Sequence, residues 1–199
     1  MTAPLILPPG LSAETFDTYL SKAKEIVGAD NVEVVEGEHQ FVKDSYMDPA
    51  EAHDMFNVFD QDYFIASAIV APRNVPEVQA LMRLSNEYKV AVWPFSAGRN
   101  IGYGGTGPRV PGSVGINMGR HMNRVLEVNE KDAYCLVEPG VTFQSLYDHL
   151  VKEGLNDKLW IDVPDLGGGS VIGNTIERGV GYSPYGDHFM VRISVVLGS

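Results

Sequence analysis

Two glycine-dense stretches hold the residues of this chain best suited to chemistry: Ser96-Ala-Gly-Arg-Asn-Ile-Gly-Tyr-Gly-Gly-Thr-Gly107 and Pro164-Asp-Leu-Gly-Gly-Gly-Ser-Val-Ile-Gly-Asn174. Of 21 glycines, 18 lie from Gly98 onward. Glycine lets backbone N–H groups approach a bulky anion and adopt positive φ without a Cβ clash. Two such loops predict one large phosphate-bearing cofactor, gripped by backbone rather than by lysines. Arg99 and Asn100 lie inside the first loop, where an arginine can meet phosphate or carboxylate in two-point fashion. The plain alternative is a glycine-rich turn between strands; the pyrophosphate cradle is the preferred reading. Asp165 precedes Gly167-Gly-Gly169. It suits an Asx-turn and an acid/base or charge-balancing role beside a cofactor ring equally well.

Gly102, Gly104 and Gly107 fit G-x-G-x-x-G literally. That motif needs a helix to begin at the loop, facing the pyrophosphate. Here Pro108-Arg-Val-Pro-Gly-Ser113 follows, which disfavours a helix. There is no Walker A Gly-Lys-Ser/Thr either. A Rossmann or P-loop site is therefore set aside.

The elements that must position these loops read as follows. Residues 1–11 form an extended arm. Ser12 caps a helix with Phe16, Tyr19, Leu20, Ala23, Ile26 and Val27 on one face and Gly28 at its end. Val32 to Val35 is a strand, and residues 44–62 a long loop. Ala66 to Ala71 is a buried strand, closed by Pro72. Asn74 and Pro76 open a second helix with Val75, Val78, Leu81, Met82 and Ser85 inward. Val90 to Pro94 is a strand feeding the first glycine loop. Ser113–Asn117, Val125–Val128 and Tyr134–Glu138 read as strands, the last two paired. Thr142 caps a third helix with Phe143, Leu146, Tyr147, Leu150 and Val151 on one face and Gly154 at its end. Leu159 to Val163 reads as a strand into the second loop, and Val171 to Arg178 as a short helix. The class is α+β.

The chain has 199 residues, enough for one domain or one and a fraction. Its net charge of −11 repels nucleic acid and anionic membranes, so neither is expected as a partner. No apolar run reaches the ~20 residues that span a bilayer. Met1 to Gly10 lacks a basic segment and its apolar run is broken by proline, unlike a signal peptide. A cytoplasmic location is the expectation, with the peroxisome left open. Cys135 lies in an apolar run and reads as a buried, inert thiol. Tyr19, Tyr134 and Tyr147 read as core. His39, His53, His121, His149 and His188 lack paired ligand spacing, so no metal site is expected.

At its motifs the chain resembles the vanillyl-alcohol oxidase family, relatives of eugenol oxidase and p-cresol methylhydroxylase. The matching stretches include Asp60-Gln-Asp-Tyr-Phe-Ile-Ala-Ser-Ala-Ile-Val-Ala-Pro-Arg-Asn74, Gly98-Arg-Asn-Ile-Gly-Tyr-Gly-Gly105 and Met122-Asn-Arg-Val-Leu-Glu-Val-Asn129. They continue with Val137-Glu-Pro-Gly-Val141, Asp162-Val-Pro-Asp-Leu-Gly-Gly-Gly-Ser170 and Glu177-Arg-Gly-Val-Gly-Tyr-Ser-Pro-Tyr-Gly-Asp-His188. The resemblance implies an FAD-binding domain of the p-cresol methylhydroxylase type over residues 64–199. Residues 1–63 would supply the arm, the first helix and the start of the first FAD subdomain. Pro94, Ser96, Gly98, Arg99, Asn100 and Ile101 would form the pyrophosphate loop. Gly169, Ser170, Gly173 and Asn174 would line the rest of the FAD. Tyr103 and Tyr182 would bind the phenolate of a small phenolic substrate, and Asp165 would sit near flavin N5. Hydride would leave the benzylic carbon of a para-substituted phenol for N5, with molecular oxygen or another electron acceptor reoxidising the flavin. The physics agrees: hydroxyl donors stabilise a phenolate, and a carboxylate offsets positive charge growing on the substrate. His188 is expected to make a structural hydrogen bond.

The resemblance has two departures. Asp54-Met-Phe-Asn-Val-Phe59 lacks the histidine that assists covalent flavin attachment in some members. Family enzymes also run on into a second half of the FAD subdomain and a cap domain, so the chain reads as a truncated form. An apolar face is expected to stay exposed where those parts would pack. Two other readings stand beside the oxidoreductase: a non-catalytic flavin-binding or interaction module, and an inactive product. The oligomeric state is left open.

Overall fold

The computed structural model describes residues 5–35, 65–98, 105–164, 167–177, 179 and 181. Helix α1 (Ala13–Val27) starts where the Ser12 hydroxyl accepts the Thr15 N–H at 3.2 Å. It ends at Gly28, whose φ of 90° is one that side-chain-bearing residues rarely adopt. Helix α2 (Val75–Tyr88) starts where the Asn74 side chain accepts the Glu77 N–H at 3.0 Å. Helix α3 (Phe143–Lys152) opens on a reciprocal capping box between Thr142 and Ser145. Helix α4 (Val171–Ile176) is capped by Ser170.

Strands β1 (Val32–Val34), β2 (Ala68–Val70), β3 (Val92–Phe95) and β4 (Val114–Asn117) form one sheet in the order β1-β2-β4-β3. β1 runs antiparallel to β2, while β2 and β3 both run parallel to β4. The unit β2–α2–β3 is thus a crossover that leaves a slot for β4 between its strands. α1 and α2 cover one face of the sheet. Phe16, Tyr19, Leu20, Ala23, Val27, Leu81 and Leu84 pack there on Ala68, Val70, Val114 and Ile116. The Tyr19 and Ser85 hydroxyls, 3.0 Å apart, satisfy each other inside this core. The opposite face carries a smaller cluster of Ala66, Ile69 and Phe95 with Val35 and Trp93. Gly115 keeps that face shallow, since a Cβ there would stand 2.5 Å from Ile69 Cδ1.

Strands β5 (Val125–Asn129) and β6 (Tyr134–Val137) pair with each other as an antiparallel hairpin. Leu126, Tyr134 and Leu136 on it are half exposed.

Several expectations are corrected. Leu159 to Val163 is irregular rather than a strand, and Trp160 is 74% exposed. An apolar run becomes a strand only when another backbone offers it a ladder, and no described segment does. On α2, Val75 and Met82 face solvent, and Leu84 takes the buried place beside Leu81 and Ser85. Tyr147 and Val151 lie exposed on α3, and Tyr134 is half exposed. Cys135 is exposed, because among the described residues no layer stacks over β6. The strand predicted to begin at Val90 begins at Val92. Beyond the expected extended arm, Leu5, Leu7 and Leu11 pack on the main core. The predicted loop 44–62 lies outside the described residues.

Candidate functional site

The first glycine loop leaves the sheet at the end of β3. Pro94 lies within β3 and is exposed. Ser96 and Ala97 are partly buried and Gly98 is fully so. Gly98 has φ +63°, and a Cβ on it would strike the Thr106 methyl. The loop's return stem is tied down by Trp93, whose indole N–H donates to the Gly105 carbonyl at 3.0 Å. Both stems of the loop therefore rest on the shallow face of the sheet. Arg99, Asn100, Ile101 and Tyr103, between the stems, lie outside the described residues, as do Asp165, Tyr182 and His188.

The second loop is bound to α3. Phe143 N–H donates to the Gly169 carbonyl at 3.1 Å and Gln144 N–H to the Gly167 carbonyl at 2.8 Å. Val171 N–H donates to the Val141 carbonyl at 3.0 Å. Two first-turn donors of α3 are thus consumed by carbonyls rather than offered to an anion. Ser170 is the hinge pin: its hydroxyl donates to the Pro139 carbonyl at 2.9 Å and accepts the Gly173 N–H at 3.0 Å. Asn174 lies half buried one residue on, its side chain folded over Gly179. Asp162 is folded in the same way against Gly181, the neighbour of Tyr182.

The two loops meet. A Cβ on Gly173 would stand 3.0 Å from the Ser96 hydroxyl, so the second loop touches the first through a glycine. Ser96 and Gly173, from far-apart segments, are thus neighbours where the two loops join, and a side chain at position 173 would press on Ser96. Bare backbone at such a glycine junction can approach a bulky anion closely.

Sequence reading missed three contributors. Gly119 lies against the Ser96 carbonyl so closely that a Cβ would collide with it, and Gly140 lies on Gly119 in turn. Glu138, 7% exposed, pairs with Arg124 across the hairpin at 2.7 Å. The signal was a carboxylate between Val137 and Pro139 in an apolar stretch, a place that demands a partner. The Arg124 guanidinium holds the Glu138 carboxyl below its ordinary value, outweighing the opposing effect of burial. Among the described residues no cluster of His, Cys, Asp or Glu could hold a metal, and no helix is long and apolar enough to cross a membrane.

Comparison with known proteins identifies the family and the fold. A family model described as an FAD binding domain covers residues 66–198. The 4-cresol dehydrogenase (hydroxylating) flavoprotein subunit of Pseudomonas putida is 36% identical over 198 residues, 98% of this chain and 35% of that protein. The solved 4-ethylphenol oxidase from Gulosibacter chungangensis, in its isoeugenol complex, superposes with a TM-score of 0.78 at 44% identity. The match covers 91% of this chain and 32% of that one. Substrate-bound p-cresol methylhydroxylase gives a TM-score of 0.77 at 33% identity, over 93% of this chain and 34% of that one. The fold is that of the p-cresol methylhydroxylase-type FAD-binding domain, and the chain spans about a third of the length of these relatives.

Proposed function

This chain belongs to the FAD-binding-domain family, and from that premise we propose that it is the cofactor-holding part of an FAD-dependent oxidoreductase that oxidises para-substituted phenols. The observation that carries the reading is the meeting of the two glycine loops at Ser96 and Gly173, in a chain whose relatives are named for cresol and ethylphenol oxidation. FAD, when bound, supplies the two-electron acceptor that takes hydride at N5 from the benzylic carbon.

The chain's own residues do the rest. Ser96, Gly98 and the backbone beside them, with Arg99, Asn100 and Ile101, hold the pyrophosphate. Gly169, Ser170, Gly173 and Asn174 close the opposite wall. Tyr103 and Tyr182 donate hydroxyl hydrogens to the substrate's phenolic oxygen, which orients the ring and favours the phenolate. Asp165 places a carboxylate where positive charge grows as the benzylic hydride departs. Molecular oxygen or another electron acceptor returns the enzyme to its oxidised form.

The test is FAD titration of the purified chain, followed by anaerobic addition of 4-ethylphenol. Quenched flavin fluorescence would support the cofactor assignment, and bleaching of the visible band the substrate assignment. Failure to quench would sink the cofactor assignment; binding without bleaching would sink the substrate assignment for this chain. A second reading, a flavin-holding module that works against another polypeptide, is favoured by the exposure of Leu136, Tyr147, Val151 and Trp160. Bleaching that depends on an added partner would select it.

A further inference from the structure

Residues 118–124 join β4 to β5 and so link the four-stranded sheet to the hairpin. On the sheet side, the Met118 N–H donates to the Phe95 carbonyl at 3.0 Å, and Gly119 lies against the Ser96–Ala97 peptide. On the hairpin side, a Cβ on Gly140 would stand 2.6 Å from Gly119 Cα and 2.8 Å from the Met122 carbonyl oxygen. The Gly140 N–H donates to that same carbonyl at 2.7 Å. A stack of bare backbone therefore runs from Gly140 through Gly119 to Ser96. The Ser96 hydroxyl in turn lies beside Gly173, 3.0 Å from where a Cβ there would stand.

Glu138 and Arg124 fix this stack from the hairpin side. The Glu138 carboxylate accepts the Arg124 backbone N–H at 2.8 Å and the guanidinium at 2.7 and 3.2 Å. The Glu138 N–H donates back to the Arg124 carbonyl at 3.0 Å, and the Val141 N–H to the Glu138 carbonyl at 3.1 Å. One carboxylate thus ties both ends of the turn to the residues that carry Gly140. Stacked glycines have no side chain to yield, so a displacement at one end is passed to the next backbone.

We infer that Glu138 is a positioning residue for the junction of the two glycine loops: with Arg124 it sets, through the Gly140–Gly119 stack, where the Ser96–Ala97 peptide stands against Gly173. This rests on the FAD reading above. It assigns to the Val137-Glu-Pro-Gly-Val141 stretch a part in placing the first glycine loop.

The test is Glu138→Gln, which keeps shape and removes charge, beside Glu130→Gln, which breaks the exposed Lys158–Glu130 pair near the same hairpin. Two quantities are read: FAD affinity by fluorescence quenching, and amide exchange of Ala97 and Gly98 in cofactor-free protein. Glu138→Gln should weaken FAD binding on the order of tenfold and speed exchange at both amides, leaving α1 and α2 unchanged. Glu130→Gln should change neither. Affinity within about twofold of the parent overturns the inference, and so does unchanged exchange at Ala97 and Gly98. A parent chain that takes up no FAD refutes the cofactor reading instead; exchange alone then decides the stack. Should Glu138→Gln not fold, Arg124→Lys reads the same two quantities with the carboxylate intact.

Discussion

The sheet of β1 to β4 and the hairpin of β5 and β6 are built from similarly apolar sequence, yet they differ in what covers them. The sheet has α1 and α2 over one face, and Phe16, Tyr19, Leu81, Val70 and Val114 there are fully buried. The hairpin pairs only with itself among the described residues, and Leu126 and Leu136 stand about half exposed. A two-stranded hairpin alone is marginal in water. What holds this one is polar: the Glu138–Arg124 pair, the Gly140 link to Met122, and the Ser170 link to Pro139. One region is stabilised by apolar burial and the other by directed bonds, and the Gly140–Gly119–Ser96 contacts lie where they meet.

Truncating the sheet's core should have the largest effect. Leu81→Ala is expected to cost about 2–5 kcal/mol, read by urea or thermal unfolding. A cost near that of a surface change would mean the two regions do not differ as described. Gly112→Ala comes next: φ is +74° and a Cβ would meet the Leu7 carbonyl, so the arm must shift. About 1–3 kcal/mol is expected, as a lowered melting temperature. Thr142→Ala removes the capping box of α3 and should cost about 1 kcal/mol. Faster amide exchange confined to α3 and the second loop would sharpen the contrast; uniform acceleration would break it.

A smaller effect belongs to acid. The Glu138 carboxyl is held below its ordinary value of 4.5 by Arg124. Its contribution is therefore fully present above that value and lost as pH falls through the lower folded value. It is modest because the Arg124 side chain is 68% exposed and its field is screened. Glu138→Gln should flatten the acid limb of a stability-against-pH curve; an unchanged limb would remove the pair from the hairpin's support. Least of all, Trp160→Ser should move stability by no more than about 0.5 kcal/mol. A large loss would mean that Trp160 is packed rather than exposed.

What the sequence made legible follows the range of each interaction. Ser12, Asn74 and Thr142 start the helices as expected, because a cap is settled within three residues. The β2–α2–β3 unit was readable from alternating apolar runs and helical spacing. Tyr147 and Val151 misled because periodicity reveals that a face is apolar, not that anything covers it. Leu159 to Val163 misled because a strand needs a neighbour that the run itself does not specify. At the candidate site, composition alone pointed to both loops, but not to their contact at Ser96 and Gly173. The support beneath them was illegible: Gly119 and Gly140 lie in separate segments, and Glu138 meets Arg124 across 14 residues.

Pro94 has a consequence for how this domain keeps from sticking to its own kind. The Ala91 and Phe95 carbonyls accept from β4, so alternate residues of β3 turn inward and Pro94 turns to the outer edge. There it removes one rung from the row of donors that a foreign strand would need. Among the described strands the sheet is thereby blunted against edge-to-edge pairing on the side where the first glycine loop leaves it. The β5–β6 hairpin has no proline in either strand. Of the two regions, it is the hairpin that would seed self-association when the protein is concentrated.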